Sequence, residues 1–376
     1  MNPVEGGQIS ARQATLLTIT VLVATVIIFV PSLTVTIAGQ DAWMVPFAAT
    51  LVAFGITVLV VALERRHPGQ SLVQITETVL GRVLGKALSA LFVFWLMHTN
   101  AIVLREVGDF ITTNFLEETP VVVLEGSIAL IAAVIVVLGL EVIARMNEVI
   151  LPLMTVMLAT VILLLVKDFE PERLAPVLEH GVLPVLRASA TPSAFWGEVV
   201  VLGMILPFLE RKDQALRVGL WGSFVALLLI VTVITSMIML FGAEETERII
   251  SFIELSRNVR LGPFVERIEA IPIAIWLTGL VIKVAFFLYV AVLALAQWAG
   301  LSDYRPLAFP VMAVTSVLAS GLVDSVVELL DFLARFWGPY GLTIEFGFPA
   351  LLLLASLIRG ALARRKDRSA EGGQTT

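Results

Sequence analysis

The sequence predicts an all-α polytopic membrane protein with ten transmembrane helices, arranged as two inverted halves of five. Hydrophobic residues make up 58% of the 376 residues, and the mean hydropathy is +0.96. Charged residues make up 15%, whereas soluble domains carry about 25%. Apolar stretches long enough to cross a bilayer recur along nearly the whole chain. A single soluble core does not explain this composition.

Ten apolar spans can be drawn from the length that a helix needs to cross the hydrocarbon layer. In chain order they are 12–38, 42–63, 84–106, 120–140, 148–166, 183–209, 215–241, 271–298, 306–322 and 338–362.

An even number of spans places both termini on one side of the membrane. With Lys283 left out, that side carries fifteen Lys and Arg residues and the other side nine. The positive-inside rule then predicts that both termini are cytoplasmic. We expect a cytoplasmic N-terminus over 1–11, a membrane domain over 12–362, and a disordered basic cytoplasmic tail over 363–376.

The two halves, about 12–166 and 183–362, show the same interruptions. Five is an odd number, so the second half must be inverted relative to the first. The first span of each half is broken, by Val30-Pro31-Ser32 in span 1 and by Trp196-Gly197-Glu198 in span 6. A short amphipathic helix is predicted after the second span of each half. Paired broken helices in inverted halves predict a binding site near the midplane of the bilayer.

A proline inside a span leaves part of the backbone without hydrogen bonds. Pro31 has no N–H and clashes with the carbonyl group four residues before it. In hydrocarbon such groups must face protein, water or a ligand. The N-terminus of a half-helix attracts a carboxylate. An amino acid offers a carboxylate for such an N-terminus and an ammonium group for a carbonyl or carboxylate group, so it is a ligand that suits these breaks.

Lys283 lies near the middle of an apolar run from Ile271 to Trp298. A lone lysine at that depth costs about 3 kcal/mol on insertion scales. The cost indicates a partner, a water-filled cavity or a functional role. The alternative is that the side chain tilts toward the interface and pairs structurally with a carboxylate.

Other polar groups in the spans have two interpretations each. Glu198 is expected either to bind a ligand ammonium or carry a proton, or to have a structural role by pairing with Lys283 or contacting a helix terminus. His98, Thr99 and Asn100 form a polar patch in span 3 that fits interhelical hydrogen bonding as well as ligand binding. Glu125, near the start of span 4, is expected at the membrane interface.

Several classes of function are excluded or disfavoured by composition. The chain has no cysteine, so disulfides, thiolate metal sites and cysteine nucleophiles are excluded. Its three histidines are too scattered for a metal site, and a net charge of −6 argues against a nucleic-acid partner. We expect no metal and no cofactor.

Stretches along nearly the whole chain match one known family in order. They are GQISARQ, VPSLTVTIAGQDAW, RRHPGQSLVQITETVLGRVLGK, LREVGDFITTNFLEETP, GLEVIARMNEVILP, FWGEVVVLGMILPFLER and GPFVERIEA. With this ordered set the chain resembles the B subunit of spore germinant receptors, within the amino acid–polyamine–organocation transporter superfamily.

The resemblance implies the ten-helix inverted-repeat fold of the leucine transporter, without enzymatic activity. It implies a subunit that senses a nutrient germinant, such as an amino acid or a sugar, in the spore inner membrane or the cell membrane. The implied partners are the receptor A subunit, the lipoprotein C subunit and the lipid bilayer.

The resemblance also implies a ligand pocket in the middle of the bundle. Its residues are Pro31, Ser32, His98, Asn100, Ala101, Gly197, Glu198, Val201, Leu202, Lys283 and Phe286. The chain departs from many superfamily members, because IFVPSLT replaces a glycine-rich break whose amides hold the ligand carboxylate. A sodium ion is often held between spans 1 and 8 of this fold, and Lys283 could replace it, so we expect no sodium dependence.

Two other functions share the predicted fold. One is a secondary amino-acid transporter, proton-coupled or sodium-independent, in which Lys283 or Glu198 carries the proton. The other is a scaffold whose pocket is vestigial. Span count and repeat do not separate these from the sensor.

Overall fold

The protein is built from apolar helices that fall on the predicted spans. The computed structural model describes residues 6–248, 253–259, 270–323 and 325–372. Within those ranges, nine helical segments are long and apolar enough to cross a membrane, and a tenth apolar helix, Ala11–Val23, is shorter. The protein is therefore a multi-pass membrane protein.

The helices are numbered here in chain order. They are α1 Ala11–Val23, α2 Val26–Ala38, α3 Val45–Arg66, α4 Leu72–Leu80, α5 Arg82–Asn114, α6 Val121–Leu138, α7 Leu140–Leu165, α8 Leu183–Ala188, α9 Ala190–Gly197, α10 Leu202–Ile205, α11 Ala215–Phe241, α12 Ala243–Arg248, α13 Ile253–Arg257, α14 Ala270–Ala299, α15 Ala308–Leu322, α16 Val326–Phe332, α17 Gly338–Glu345 and α18 Gly347–Gly372.

Span 1 is broken, but not at the predicted residue. Helix α1 ends at Val23 and α2 begins at Val26, so the interruption lies at Ala24 and Thr25, while Pro31 lies inside α2. A proline disturbs the turn that precedes it, because its ring clashes with the carbonyl of residue i−4, here Ile27. Ile27 lies inside α2, so Pro31 does not set the break, which falls where span 8 contacts Ala24 and Thr25.

Span 6 is interrupted where the sequence predicted it. Helix α9 ends at Gly197, a 3₁₀ segment covers Glu198–Val201, and α10 continues the path to Ile205. A 3₁₀ stretch inside a helix is tighter and has poorer hydrogen-bond geometry, which is typical of hinges and strained sites.

The last span begins before its predicted start and ends at the predicted residue, Leu362, while its helix continues further. It starts at Val326 rather than 338, and a π-helical segment over Leu333–Trp337 joins α16 to α17. Helix α18 extends to Gly372, so the backbone is helical past residue 363, where we predicted a disordered tail. This segment is rich in Ala, Arg and Lys, which are good helix formers.

Burial separates the inner helices from the outer ones. In the apolar windows of spans 6 and 8, 89% of the residues are buried, against 22% in span 5. Span 8 packs against spans 3, 4 and 5, and span 6 packs against spans 2 and 10. Spans 6 and 8 therefore form the interior into which polar groups of the bundle project.

The predicted amphipathic links are described in part. Between spans 2 and 3, α4 starts with a capping box in which Ser71 and Gln74 satisfy each other's backbone N–H groups. Between spans 7 and 8 the structure describes the short helices α12 and α13. The rest of that link, 249–252 and 260–269, lies outside the described residues.

Candidate ligand-binding site

Lys283 lies at the centre of the bundle and connects the two broken spans. Its side chain has no exposed surface. The Nζ atom donates a 2.7 Å hydrogen bond to Oγ1 of Thr25, in the break of span 1. The same atom forms a 2.7 Å ion pair with Oε2 of Glu198, the first residue of the 3₁₀ segment in span 6. Of the alternatives open for Lys283, the structure shows a buried partner, the carboxylate of Glu198, and no tilt toward the interface; a role in ligand binding stays a prediction.

A second residue of span 8 also binds the break in span 1. Nε1 of Trp276 donates a 2.9 Å hydrogen bond to the carbonyl oxygen of Ala24. Trp276 and Lys283 are seven residues apart, so they lie on one face of the helix about two turns from each other. One face of span 8 thus satisfies polar groups that the interruption of span 1 leaves without helical partners.

At the break in span 6, a carboxyl group of span 10 packs against the backbone. A Cβ atom built on Gly197 would lie 2.0 Å from Oε2 of Glu345, so only glycine fits there. Glu345 is fully buried, and neither of its carboxyl oxygens has a hydrogen-bond partner among the residues that the structure describes. The backbone at Gly197 therefore packs directly against a second carboxyl group.

Glu106 of span 3 adds a third buried carboxyl group. It has no exposed surface, and within the described part of the chain it has no hydrogen-bond partner. It lies within electrostatic range of both Lys283 and Glu198. Glu345 interacts electrostatically with the same two residues. The site therefore places three carboxyl groups around one ammonium group, in surroundings that disfavour uncompensated charge.

Aromatic rings surround the ammonium group. Nζ of Lys283 lies 6.0 Å from the ring centroid of Phe195 and 5.7 Å from that of Phe287, within the range of cation–π attraction. Phe195 in turn contacts Trp337, with 5.6 Å between ring centroids. The predicted pocket residue Phe286 is buried beside them in span 8.

The predicted pocket residues of span 6 lie together at its interruption. Gly197 ends α9, Glu198 and Val201 bound the 3₁₀ segment, and Leu202 begins α10. All four are buried. The structure brings this group to Lys283 through Glu198.

The predicted residues of span 1 are buried one to two turns beyond the break. Oγ of Ser32 donates to the carbonyl of Phe29 at 3.0 Å, a local contact within α2. Pro31 is buried next to it. Thr25, which sequence reasoning missed, is the residue of span 1 that meets Lys283. A threonine in an apolar helix gives little signal, because its hydroxyl usually bonds to its own backbone.

The predicted residues of span 3 do not form one group. Half-buried His98 faces span 10, where its Nδ1 lies 3.1 Å from the hydroxyl of Tyr340. Its ring also stacks on Phe94, with 5.7 Å between centroids. Asn100 and Ala101 are fully buried, and no described residue forms a hydrogen bond with either side-chain polar atom of Asn100. The assignment of these residues to ligand binding stays a prediction.

Glu125, which we expected at the membrane interface, is buried against a neighbouring helix, and its depth in the membrane stays a prediction. It is 1% exposed, and its Oε2 accepts a 2.7 Å hydrogen bond from Ser320. Gly108 makes room for it, since a Cβ there would lie 3.0 Å from Cγ of Glu125. The absence of a side chain on span 3 thus lets a carboxyl group of span 4 enter the bundle.

Comparison with solved structures defines the class of this protein. The chain matches Mhp1, a nucleobase-cation-symport-1 family transporter solved in a closed conformation with bromovinylhydantoin bound, with a TM-score of 0.61 and 14% identity over 96% of this chain and 94% of that one. A mutant of the Eremococcus coleocola manganese transporter matches with a TM-score of 0.53 and 13% identity, over 94% and 82%. The protein has the inverted-repeat fold of helical membrane transporters, as the sequence predicted.

The family follows from sequence comparison. A family model described as spore germination protein matches residues 8–325, and the chain belongs to that family. Spore germination protein KB of Bacillus subtilis (strain 168) is 21% identical over 374 residues, which cover 97% of this chain and 98% of that protein. Spore germination protein YndE of the same organism is 24% identical over 296 residues, 77% and 81% of the two chains.

Proposed function

We propose that this protein is the nutrient-sensing membrane subunit of a spore germinant receptor, and that it binds a small amino acid or similar nutrient between the two broken spans. The observation that carries the proposal is the position of Lys283, which contacts Thr25 in one break and Glu198 in the other. A ligand that competes with Thr25 changes how the two halves are held together, and a ligand that competes with Glu198 changes how spans 6 and 8 pack within the second half.

The charges at the site favour a zwitterionic ligand. Span 1 lacks the glycine-rich break whose amides hold a carboxylate in related transporters, and the Lys283 ammonium supplies a positive group in that place. Glu198, Glu106 and Glu345 supply acceptors for a ligand ammonium group. Lys283 and the three glutamates have no exposed surface, so a ligand enters in a second arrangement of the helices.

Signalling then follows from differential affinity. A ligand shifts the balance between two arrangements only to the extent that it binds one of them better. The A and C subunits implied by the family resemblance are the proposed recipients of that shift. The proposed orientation, with both termini in the cytoplasm, rests on the excess of Lys and Arg on their side.

Ligand-induced thermal stabilisation of the purified protein tests this proposal. A panel of amino acids and sugars is added to wild type, to Lys283→Ala and to a control, Lys86→Ala, which removes a cation that contacts Trp298 instead of the breaks. At 100 times its Kd a ligand stabilises by about 2.7 kcal/mol. We expect one nutrient class to raise the melting temperature of wild type and Lys86→Ala but not of Lys283→Ala. An equal rise in Lys283→Ala contradicts the assigned site, and no rise with any nutrient contradicts the sensor.

A proton-coupled amino-acid transporter is the second candidate. It is favoured by the presence of three buried carboxyl groups around one ammonium group, since such a cluster suits proton binding. Uptake into liposomes at several pH values, with Glu198→Gln as the variant, tests it. The transporter predicts uptake whose pH dependence vanishes in Glu198→Gln, and unchanged pH dependence rules out Glu198 as the proton carrier.

A further inference from the structure

A second, basic cavity is lined by residues other than those of the central site. It opens where the end of span 2, the end of α4 and the last part of span 10 meet. Its lining residues are Arg66, His67, Thr78, Val79, Ser356, Arg359 and Gly360.

Arg66 is held in this cavity by a neutral residue of span 10. Its Nε donates to Oγ of Ser356 at 3.1 Å, and its Nη2 donates to the Ser356 carbonyl at 3.4 Å. Nε2 of His67 lies 2.8 Å from the same Oγ. Gly360 leaves room for the guanidinium, because a Cβ there would lie 3.2 Å from Nη2 of Arg66.

Arg359 is held by the end of α4. Its Nη1 donates to the carbonyl oxygens of Thr78 and Val79, at 2.8 and 2.6 Å. These carbonyls belong to the last turn of Leu72–Leu80, where helix carbonyls lack partners and carry partial negative charge. The contact fixes the guanidinium but leaves its full charge uncompensated.

Neither arginine has an acidic partner among the described residues, and both bond only to neutral oxygens. Two guanidinium groups that line one cavity repel each other unless an anion lies between them. Each has five N–H donors, of which these contacts use only part. Forked guanidinium groups of this kind match the oxygens of a phosphate group.

The surface next to Arg359 faces lipid. Leu357, Ile358 and Leu362 are 47%, 51% and 61% exposed, in a helix that the apolar composition places in the membrane. The cavity therefore lies where apolar helix surface meets charged residues, at the depth of the lipid headgroups. The sequence continues with Arg364, Arg365, Lys366 and Arg368, which favours an anionic membrane surface on this side.

We propose that the cavity formed by Arg66, His67 and Arg359 binds the phosphate of an anionic phospholipid headgroup, whose acyl chains lie along Leu357, Ile358 and Leu362. The site holds span 2, α4 and span 10 together from the lipid side. It is independent of the ligand proposed for the central site.

Lipid binding to the purified full-length chain in micelles tests the proposal. The probes are short-chain phosphatidylglycerol, short-chain phosphatidylcholine and inorganic phosphate, measured by native mass spectrometry. One variant is the double substitution Arg66→Gln/Arg359→Gln. The other is the single substitution Arg359→Gln, which leaves the contacts of Arg66 with Ser356 intact. Arg65→Gln is the matched control, since Arg65 is an exposed neighbour that does not line the cavity.

A cation at an anionic headgroup is worth about fivefold in affinity, and we assign this effect to the arginines that line the cavity, not to Arg65. We expect wild type and Arg65→Gln to bind phosphatidylglycerol equally well, Arg359→Gln to bind about fivefold more weakly, and the double variant about 25-fold more weakly. Equal affinity of the double variant and Arg65→Gln overturns the proposal. The proposal is also overturned if phosphatidylcholine binds as tightly as phosphatidylglycerol, or if inorganic phosphate displaces phosphatidylglycerol at equal concentration.

Discussion

The ammonium group of Lys283 donates a 2.7 Å hydrogen bond to the hydroxyl of Thr25, and this contact joins the middle of span 8 to the interruption of span 1. Both side chains are buried, at 0% and 1% exposure. Here a covalently attached cation contacts the break.

Thr25→Val tests the contact with a side chain of nearly the same shape. The change removes the acceptor for a charged donor, which costs about 1.5–3 kcal/mol. We expect a lower free energy of unfolding in mixed micelles. Thr25→Ser keeps the hydroxyl and should stay close to wild type. If Val and Ser destabilise equally, the hydroxyl does not hold Lys283.

Trp276→Phe tests the second contact between span 8 and the break. The Ala24 carbonyl loses its 2.9 Å donor and is left buried, at a cost of about 1–3 kcal/mol. The control is Trp221→Phe, at a residue that is 54% exposed on span 7. Substitutions at exposed positions of that kind change the free energy of unfolding by no more than about 0.5 kcal/mol. Equal melting temperatures for the two variants would show that the indole N–H contributes nothing.

Gly197→Ala tests the close packing of span 10 against span 6. The new Cβ would lie 2.0 Å from Oε2 and 2.7 Å from Cδ of Glu345, so overpacking should cost about 1–3 kcal/mol or more. The cost should fall in a Glu345→Ala background, where those atoms are gone. Gly126→Ala, with nothing within 4 Å of the added Cβ, should be neutral or stabilising by about 0.5–1 kcal/mol. Similar melting curves for Gly197→Ala and Gly126→Ala would contradict this packing.

His67, which lies outside the spans, is expected to make the free energy of unfolding depend on pH. Burial first, and the nearby charge of Arg66 second, lower the pKa of His67 below its ordinary value of 6.5; Arg359 lines the same cavity. The unfolded chain therefore binds the proton more readily than the folded one, and stability falls as the pH drops through about 6.5. His67→Gln removes this contribution. Unfolding at pH 7.5 and 5.5 should show a smaller loss in the variant than in wild type, and an equal loss would contradict the assignment.

Local pattern predicted much of the fold because apolar length and proline position are visible in the sequence. The spans, the break at Gly197-Glu198 and the buried role of Lys283 all have such a local signal. The partner Thr25 does not, since it lies 258 positions away from Lys283 and resembles any helical threonine. The position of the break in span 1 depends on which groups span 8 presents to it, which is a property of tertiary packing.

Glu106 and Glu345 could have been found by the reasoning applied to Lys283. Each is a carboxyl group within a predicted span, and ionisable groups in spans are costly and functional. Glu106 was the last residue of its predicted span, where a charge is usually solvated. The described helix α5 continues to Asn114, so Glu106 lies well inside it. An error of eight residues in one boundary thus hid part of the site.

The central claim is that one ammonium group holds both breaks, and a double-mutant comparison on Lys283 tests it most directly. Thr25→Val and Glu198→Gln are each measured in wild type and in Lys283→Met, by reversible unfolding in mixed micelles. If Lys283 bridges the breaks, Thr25→Val loses its effect in Lys283→Met, and Glu198→Gln changes from destabilising to neutral or stabilising, because the uncompensated buried carboxylate is removed. Equal costs of both changes in the two backgrounds would contradict the claim.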